Sequence, residues 1–269
     1  YLLSYDRKNA DFNNKIITQA RGIILEKETD KIISYGLNKM KHIFDKDNIN
    51  WTDCKVYEAY DGTQLRLFYY NNEWIVATAR NIYAKKSKWN YIKTFYDLYK
   101  DVELNTDILN KDYTYTFILR HIENRIVSNI KKNELIHIHT RNNKTYEEVD
   151  ETIEGIIKAP ELMFTDYEDL LKELKNSTYN TRGYVICHFQ DKYLFETDEF
   201  KQVKELKGNH FNSTYHYIEL IKKNKLQEYL EYYPENKVIF DNIKQELVEL
   251  SNNIHQFYIK KNIKKKNYI

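Results

Sequence analysis

The sequence predicts an α+β protein: antiparallel strands paired as hairpins and flanked by helices, then an all-helical C-terminal segment. Three observations carry this. Short strand-like runs dominate from Ala20 to about Thr197, and two pairs of them close into hairpins. Helical patterns stand among them without the regular alternation of strand and helix that builds a parallel sheet. After about Gly208 apolar residues recur at helical spacing instead.

The elements follow in order. Gly22–Glu26 is an apolar run behind Arg21. Leu65–Tyr70 and Glu73–Thr78 flank Asn71-Asn72, a pair that tolerates positive φ and reads as a tight turn. Lys88–Leu98 carries a helical pattern. Tyr113–Leu119, Arg125–Val127 and Glu134–Thr140 read as further strands, Tyr167–Leu174 as a helix, and Tyr184–Phe189 with Tyr193–Phe195 as a second hairpin. Beyond Gly208, Ile218, Ile221, Leu226, Tyr229 and Leu230 keep a helical period, and Pro234 suits the first turn of a new helix. Ile239, Ile243, Leu247, Leu250, Ile254 and Phe257 then mark one helical face, expected to pack on its own domain. The expected division is residues 1–207 and 208–269.

Composition narrows the class. The 269 residues include 42 Lys+Arg and 40 Asp+Glu, a net charge of +2, so the molecule lacks the field of a strongly basic nucleic-acid binder. Lysines are nevertheless concentrated at the end, at 260, 261, 264, 265 and 266, a pattern typical of a solvated helix end. Lys (34), Ile (30), Asn (28) and Tyr (25) dominate, the residues that A/T-rich codons favour, so the gene is expected to come from an A/T-rich genome. With 6 Gly, 2 Pro and 25 Tyr the chain is neither collagen-like nor generally disordered. No run is apolar enough for a membrane span, so no membrane association is expected. The chain opens at Tyr1 and shows no targeting signal. Cys54 and Cys187 are too few for a disulfide framework or a paired-cysteine zinc site, which implies a reducing, intracellular or cytoplasmic setting.

The most informative segment is Val56-Tyr57-Glu58-Ala59-Tyr60-Asp61-Gly62-Thr63, where Asp61-Gly62 reads by itself as a turn between strands. Upstream stands Ala20-Arg21-Gly22-Ile23-Ile24-Leu25-Glu26. Downstream stand Ala79-Arg80, then Glu123-Asn124-Arg125-Ile126-Val127, then Arg182-Gly183-Tyr184-Val185. In this order and spacing the set resembles the bacteriophage-type RNA ligases that repair tRNA, members of the covalent nucleotidyltransferase superfamily. The resemblance spans about residues 18–200, and the helical tail is similar to that family's C-terminal domain. It implies a nucleotidyltransferase domain of antiparallel sheets flanked by helices.

The resemblance also implies a chemistry. In that family a Lys in a Lys-x-Asp-Gly motif attacks the α-phosphate of ATP and forms lysyl-AMP. The amine must be deprotonated, and Mg²⁺ with further lysines neutralises the phosphates. Here the nucleophile position is Ala59. The carboxylate position of the third motif, counted back from Val127, is Ile118. The fourth motif, normally Glu-Gly, is Arg182-Gly183, a reversal of charge. The Lys-x-Lys of the fifth motif aligns with Phe195 and Thr197, or with a slip reaches Lys201 or Lys204, and a Lys that grips ATP aligns with His42. Residues that shape the fold remain while those that do chemistry have gone. By this resemblance the chain is a pseudo-ligase that needs no cofactor, and ATP and Mg²⁺ enter only if it is an intact ligase altered at Ala59. Residues placed to bind a nucleotide or RNA are Arg21, His42, Asp61, Gly62, Arg80, Arg125 and Arg182.

Other clusters carry less. His137 and His139 share a strand face, where a structural role outweighs metal binding because no third ligand stands near in sequence. His121 and Glu123 fall within the third motif and are expected near its pocket. Neither Cys shows a nucleophile signature. Tyr57, Tyr60, Tyr69, Tyr70, Trp74, Tyr83 and Trp89 are aromatic enough to stack bases, although in so Tyr-rich a chain most belong to the core or the surface. The favoured reading is a non-catalytic RNA ligase-like module whose partners are RNA ends, a nucleotide or a protein. The alternatives are an ATP-dependent RNA ligase inactivated by engineering at Ala59, or misaligned here, and an architectural subunit of a viral or plasmid-borne assembly.

Overall fold

The computed structural model describes all residues except Arg7, Asn90, Tyr91, Glu103, Phe211 and 264–269; Lys264, Lys265 and Lys266 therefore lie outside the described residues. The chain runs β1 (Leu2–Ser4), α1 (Lys15–Gln19), β2 (Arg21–Leu25), β3 (Ile32–Ser34), β4 (Cys54–Ala59), β5 (Thr63–Tyr70), β6 (Glu73–Thr78), α2 (Phe95–Lys100), β7 (Tyr113–Arg120) and β8 (Glu134–Asn142). It continues through β9 (Glu148–Val149), β10 (Ile157–Lys158), β11 (Glu161–Leu162), α3 (Tyr167–Asn176), β12 (Gly183–His188) and β13 (Asp191–Glu196). Helices α4 (Asp198–Lys207), α5 (Ser213–Lys222), α6 (Leu226–Tyr232) and α7 (Lys237–Tyr258) complete it. The chain divides into two compact units, Tyr1–Lys201 and Gln202–Ile269, with the division inside α4. The α+β class with antiparallel sheets, flanking helices and a helical C-terminal part is what the structure shows.

The first unit holds three sheets. A small one pairs β1, β2 and β3; the largest has the order β10-β8-β7-β5-β6, with β9 on β8; the third has the order β11-β4-β12-β13. All pairings are antiparallel except β10 on β8. β5 and β6 read as near-continuous apolar runs because both their faces are covered. Leu65, Leu67 and Val76 face a core with Leu98 of α2, Tyr115 and Phe117, whereas Phe68, Ile75 and Ala77 face Ile24 on the other side. In the third sheet, Val56, Tyr184, Ile186 and Tyr193 pack on Leu170 of α3, with Phe44, Trp51 and Tyr167 alongside. Its other face carries Ala59, Val185 and Leu194. The Asn71-Asn72 turn adopts φ of 50° and 64°, the left-handed pair that a two-residue hairpin requires.

Three expectations need correction. The helix expected over Lys88–Leu98 begins only at Phe95, because Thr94 and Asp97 form a reciprocal capping box there. Arg125–Val127 is no strand: it follows a 3₁₀ turn, Ile122–Asn124, and the N–H of Val127 goes to a side chain rather than a ladder. The apolar face of α7 does not pack on its unit along its whole length. Phe240 and Ile243 are buried, with the Phe240 ring 5.5 Å from that of Tyr217, but Leu250, Ile254 and Phe257 are 55%, 60% and 70% exposed.

Candidate functional site

The first unit contains a cavity of about 330 Å³ bounded by the two larger sheets. β4 contributes Lys55, Tyr57 and Ala59; β12 and β13 contribute Val185, Cys187, Lys192 and Leu194; β7 and β8 contribute Ile118, His137, His139 and Thr140. Tyr60, Glu148, Asp150, Lys158, Ala159 and Arg182 complete much of the wall. Strand alternation decides this membership. On β4 and β12 the side chains at Ala59 and Val185 face the cavity, while Val56, Tyr184 and Ile186 face α3.

Ala59, Ile118 and Arg182, far apart in sequence, thus line one cavity. Gly183 pairs with Ala59 on one side and with Glu196 on the other, which brings the Arg182 side chain to the edge of the sheet. Arg182 donates through Nε to Glu196 Oε1 at 2.9 Å and through Nη1 to the carbonyl of Tyr60 at 3.2 Å. The wall at this point is apolar elsewhere: Ala59, Val185 and Leu194 oppose Ile118 and Ala159.

The residues expected from the fifth motif face the other way. Phe195 packs against Phe44 and Tyr167, and Thr197 is buried, donating to the carbonyl of Thr181 and accepting from the N–H of Phe200. Lys192 and Leu194 occupy the cavity side of β13, and Glu196 shares their parity. Lys201 pairs with Asp198 at 2.9 Å on α4 and does not line this cavity, nor does Lys204. His42 is exposed and outside the lining, where its segment supplies Leu37 and Met40 instead.

Asp61 and Gly62 act beneath the cavity rather than in it. Asp61, 5% exposed, accepts from the N–H groups of Val127 and Ser128. Gly62 has φ 149°, and a Cβ there would meet Leu119 O at 2.5 Å and Ile118 Cγ2 at 2.7 Å. Gly183, at φ 142°, leaves still less room: a Cβ would lie 1.8 Å from the carbonyl oxygen of Phe195. Arg21, Arg80 and Arg125 are likewise off the cavity wall. Arg21 donates to Gln64 at 3.1 Å, Arg80 is exposed, and Arg125 donates to the carbonyl of Val127.

The inner wall holds an ionic cluster that sequence reasoning missed. Glu148 accepts from Lys192 at 2.5 and 2.7 Å and from Arg141 at 3.3 Å, and lies 3.2 Å from His139 Nε2. Burial works against ionisation of Glu148, but the contacts with His139 and Lys192 outweigh it and hold the carboxyl down at about 2. Burial lowers both His139 and His137, the latter to about 4, so these imidazoles are neutral at pH 7. His137 meets Thr140 Oγ1 through Nε2 at 2.7 Å, and its Nδ1 has no hydrogen-bond partner among the described residues. Burial pushes the Cys187 thiol up to about 11, which makes it unreactive. No group of three or more His, Cys, Asp or Glu among the described residues is arranged to hold a metal ion.

Two further placements differ from expectation. His121, 2% exposed, contacts Asp101 at 3.1 Å, and Glu123 pairs with Lys93 at 2.5 Å; neither lines the cavity. Of the aromatic run only Tyr57 and Tyr60 reach it. A second missed residue is Arg66, 1% exposed in the middle of β5, which donates to the carbonyls of Gly22 and Thr78 and ties the small sheet to the large one. Burial and the neighbouring Arg21 charge lower it to about 10. The strand pattern around it, Leu65-Arg66-Leu67-Phe68, was the available signal: a cation amid consecutive apolar residues.

Comparison with known proteins adds the following. No protein-family profile matches the chain. It is 26% identical over a 275-residue alignment to the immediate-early protein ICP-46 homolog of Invertebrate iridescent virus 6, covering 90% of this chain and 58% of the relative. The corresponding protein of Invertebrate iridescent virus 3 is 25% identical over 227 residues, 74% of this chain and 50% of that one. The chain spans about half the length of these curated relatives. Among solved structures, an archaeal ATP-dependent RNA ligase superposes with a TM-score of 0.49 at 11% identity over 86% of this chain and 64% of its own. A putative ATP-dependent DNA ligase from Aquifex aeolicus gives 0.47 at 13% over 88% and 72%. No helix among the described residues is long and apolar enough to cross a membrane.

Proposed function

We propose that this chain is an RNA ligase-like nucleotidyltransferase module that forms no lysyl-AMP and holds a nucleotide or RNA end in its cavity without covalent chemistry. One observation carries the reading. Ala59, Ile118 and Arg182 line one cavity of about 330 Å³, and none of them supplies a nucleophile or a carboxylate.

The residues present do not fit ATP-dependent chemistry with Mg²⁺. A methyl group at Ala59 cannot attack phosphorus, and the positions that would hold a metal carry the sec-butyl side chain of Ile118 and the guanidinium of Arg182. The Arg182 charge is already engaged by Glu196 at 2.9 Å, so phosphate must compete for it. What remains is a recognition site. Ala59, Ile118, Val185 and Leu194 offer apolar walls to a base, and Lys158, Lys192 and the neutral imidazole of His137 offer polar contacts at its edge. A/T-rich coding and an origin among viruses belong to the same proposal, supported by composition and by the iridescent-virus relatives.

Incubation with α-labelled ATP and Mg²⁺ tests the loss of catalysis: no labelled protein is expected, and a covalent protein–AMP band overturns the reading. Calorimetry with ATP, GTP and a nicked tRNA stem tests binding. Heat with at least one of them is expected, weakened by a bulky Val185→Trp substitution in the wall. No heat with any ligand removes the recognition role.

A further inference from the structure

The exposed part of α7 is spaced as a coiled-coil seam. Phe240, Ile243, Leu247, Leu250, Ile254 and Phe257 alternate by three and four residues, a 3.5-residue period. The first two are buried within their own unit, through ring contacts of Phe240 with Tyr217 and Tyr229. The rest of the seam lies open: Leu250 55%, Ile254 60%, Phe257 70% exposed, with Leu247 half-buried. A surface helix of a single domain would keep that stripe polar once it leaves the core.

We propose that this seam is a self-association surface, on which the α7 helix of a second copy of this chain packs antiparallel. With Ile243, Leu250 and Phe257 at d positions and Leu247 and Ile254 at a positions, Glu246 and Asn253 are g positions of α7, and Lys260 follows at the next g spacing, in the π-helical turn Ile259–Ile263 that continues the helix. Antiparallel packing that seats Leu247 against Phe257 and Leu250 against Ile254 brings g opposite g. Glu246 then faces Lys260 of the second copy, twice by symmetry, and Asn253 faces its own counterpart. A parallel pairing sets g against the following e instead, so Glu246 would face Ser251 and Asn253 would face Tyr258, with no opposite charges joined. The flanking charges therefore favour one orientation of one occupant, a copy of the same helix. Glu246 and Lys260 are both exposed and available for it. Covering the four open apolar residues on each copy buries on the order of 1,000 Å² in all, the low end for a specific interface, so a reversible dimer is expected.

Sedimentation of the 269-residue chain over about 1 to 200 µM tests this by mass action. The expected result is a concentration-dependent rise from 32.8 kDa towards twice that mass. Leu250→Glu, an exposed change that leaves the core untouched, should abolish the rise while thermal unfolding stays within a few degrees of the parent. Glu246→Lys and Lys260→Glu should each weaken association about tenfold, and the two together should restore it. A monomer throughout, a dimer indifferent to Leu250→Glu, or failure of the double charge reversal to restore association overturns the proposal. Association that needs another protein from an extract overturns it equally.

Discussion

Asp61 holds Val127. Its carboxylate accepts the backbone N–H of Val127 at 2.8 Å and of Ser128 at 2.9 Å, across a sequence gap of 66 and 67 residues. Asn124 supports the same loop by donating to Thr63 Oγ1 at 2.6 Å. The acid of the Ala59–Gly62 segment is thus a structural anchor. Asp61→Ala should lower stability by about 3–6 kcal/mol, since it removes two hydrogen bonds to a charged acceptor that contribute about 1.5–3 kcal/mol each. Asp61→Asn should cost roughly half as much. Urea denaturation of both variants checks this, and equal stability of Asp61→Ala and parent would remove the anchor.

Arg182 and Glu196 should behave as a pair. Their side chains are 25% and 13% exposed, so solvent screens them little. Arg182→Glu sets two carboxylates together, and Glu196→Arg sets two guanidinium groups together. Each is expected to cost about 1–3 kcal/mol, and the double exchange to recover most of it. A double-mutant cycle read by thermal melting measures the coupling. Additive losses would mean that the contact contributes nothing.

If the proposed reading holds, a lysine introduced at Ala59 should not confer adenylylation. A Lys there is set among Ile118, Val185 and Leu194 beside Arg182, surroundings that favour a neutral amine, with no carboxylate at Ile118 or Arg182 and no metal-holding group of acidic side chains among the described residues. Mass spectrometry of Ala59→Lys after ATP and Mg²⁺ should show the unmodified mass. Stability should fall by about 1–3 kcal/mol from overpacking a wall built around a methyl group. Appearance of an AMP adduct would show that the site is one substitution from activity.

Stability should fall on mild acidification. Burial holds His137 and His216 near 4, against an ordinary value of 6.5, the neighbouring His210 adding to the effect at His216. The unfolded chain takes up these protons between pH 6.5 and 4 while the folded chain refuses them. Stability is therefore full above pH 6.5 and declines below it, by about 1.4 kcal/mol per pH unit for each group. Glu148, held near 2 instead of 4.5, adds its loss only below pH 4.5. Melting curves from pH 7.5 to 4.5 check the slope, to which buried His139 also contributes, and His137→Gln should remove part of it. A flat profile would mean that neither imidazole is excluded from protonation.

Much of the fold was legible because short-range physics writes it. The Asn71-Asn72 turn, the β12–β13 hairpin and α3 lie where turn residues and periodicity put them. Arg125–Val127 was misread because three consecutive residues cannot show whether their N–H groups go to a strand or to a carboxylate 66 residues away. Which face Phe195 takes was not legible, because in a strand of period two neighbouring residues such as Leu194 and Phe195 point to opposite sides. His121 turns to Asp101 rather than to the cavity, a choice that its neighbours in sequence do not reveal.

By itself, then, the sequence determined the α+β class, the hairpins, the helical C-terminal part and the presence of a methyl group at Ala59. These depend on local propensity, turn chemistry and residue identity. Only the tertiary structure decided that Ala59, Ile118 and Arg182 share one cavity, that Glu148 gathers His139, Arg141 and Lys192, and that α7 leaves Leu250 to Phe257 open. Those facts depend on strand register and on which helix faces are covered, and both are set by contacts between residues tens to more than a hundred positions apart.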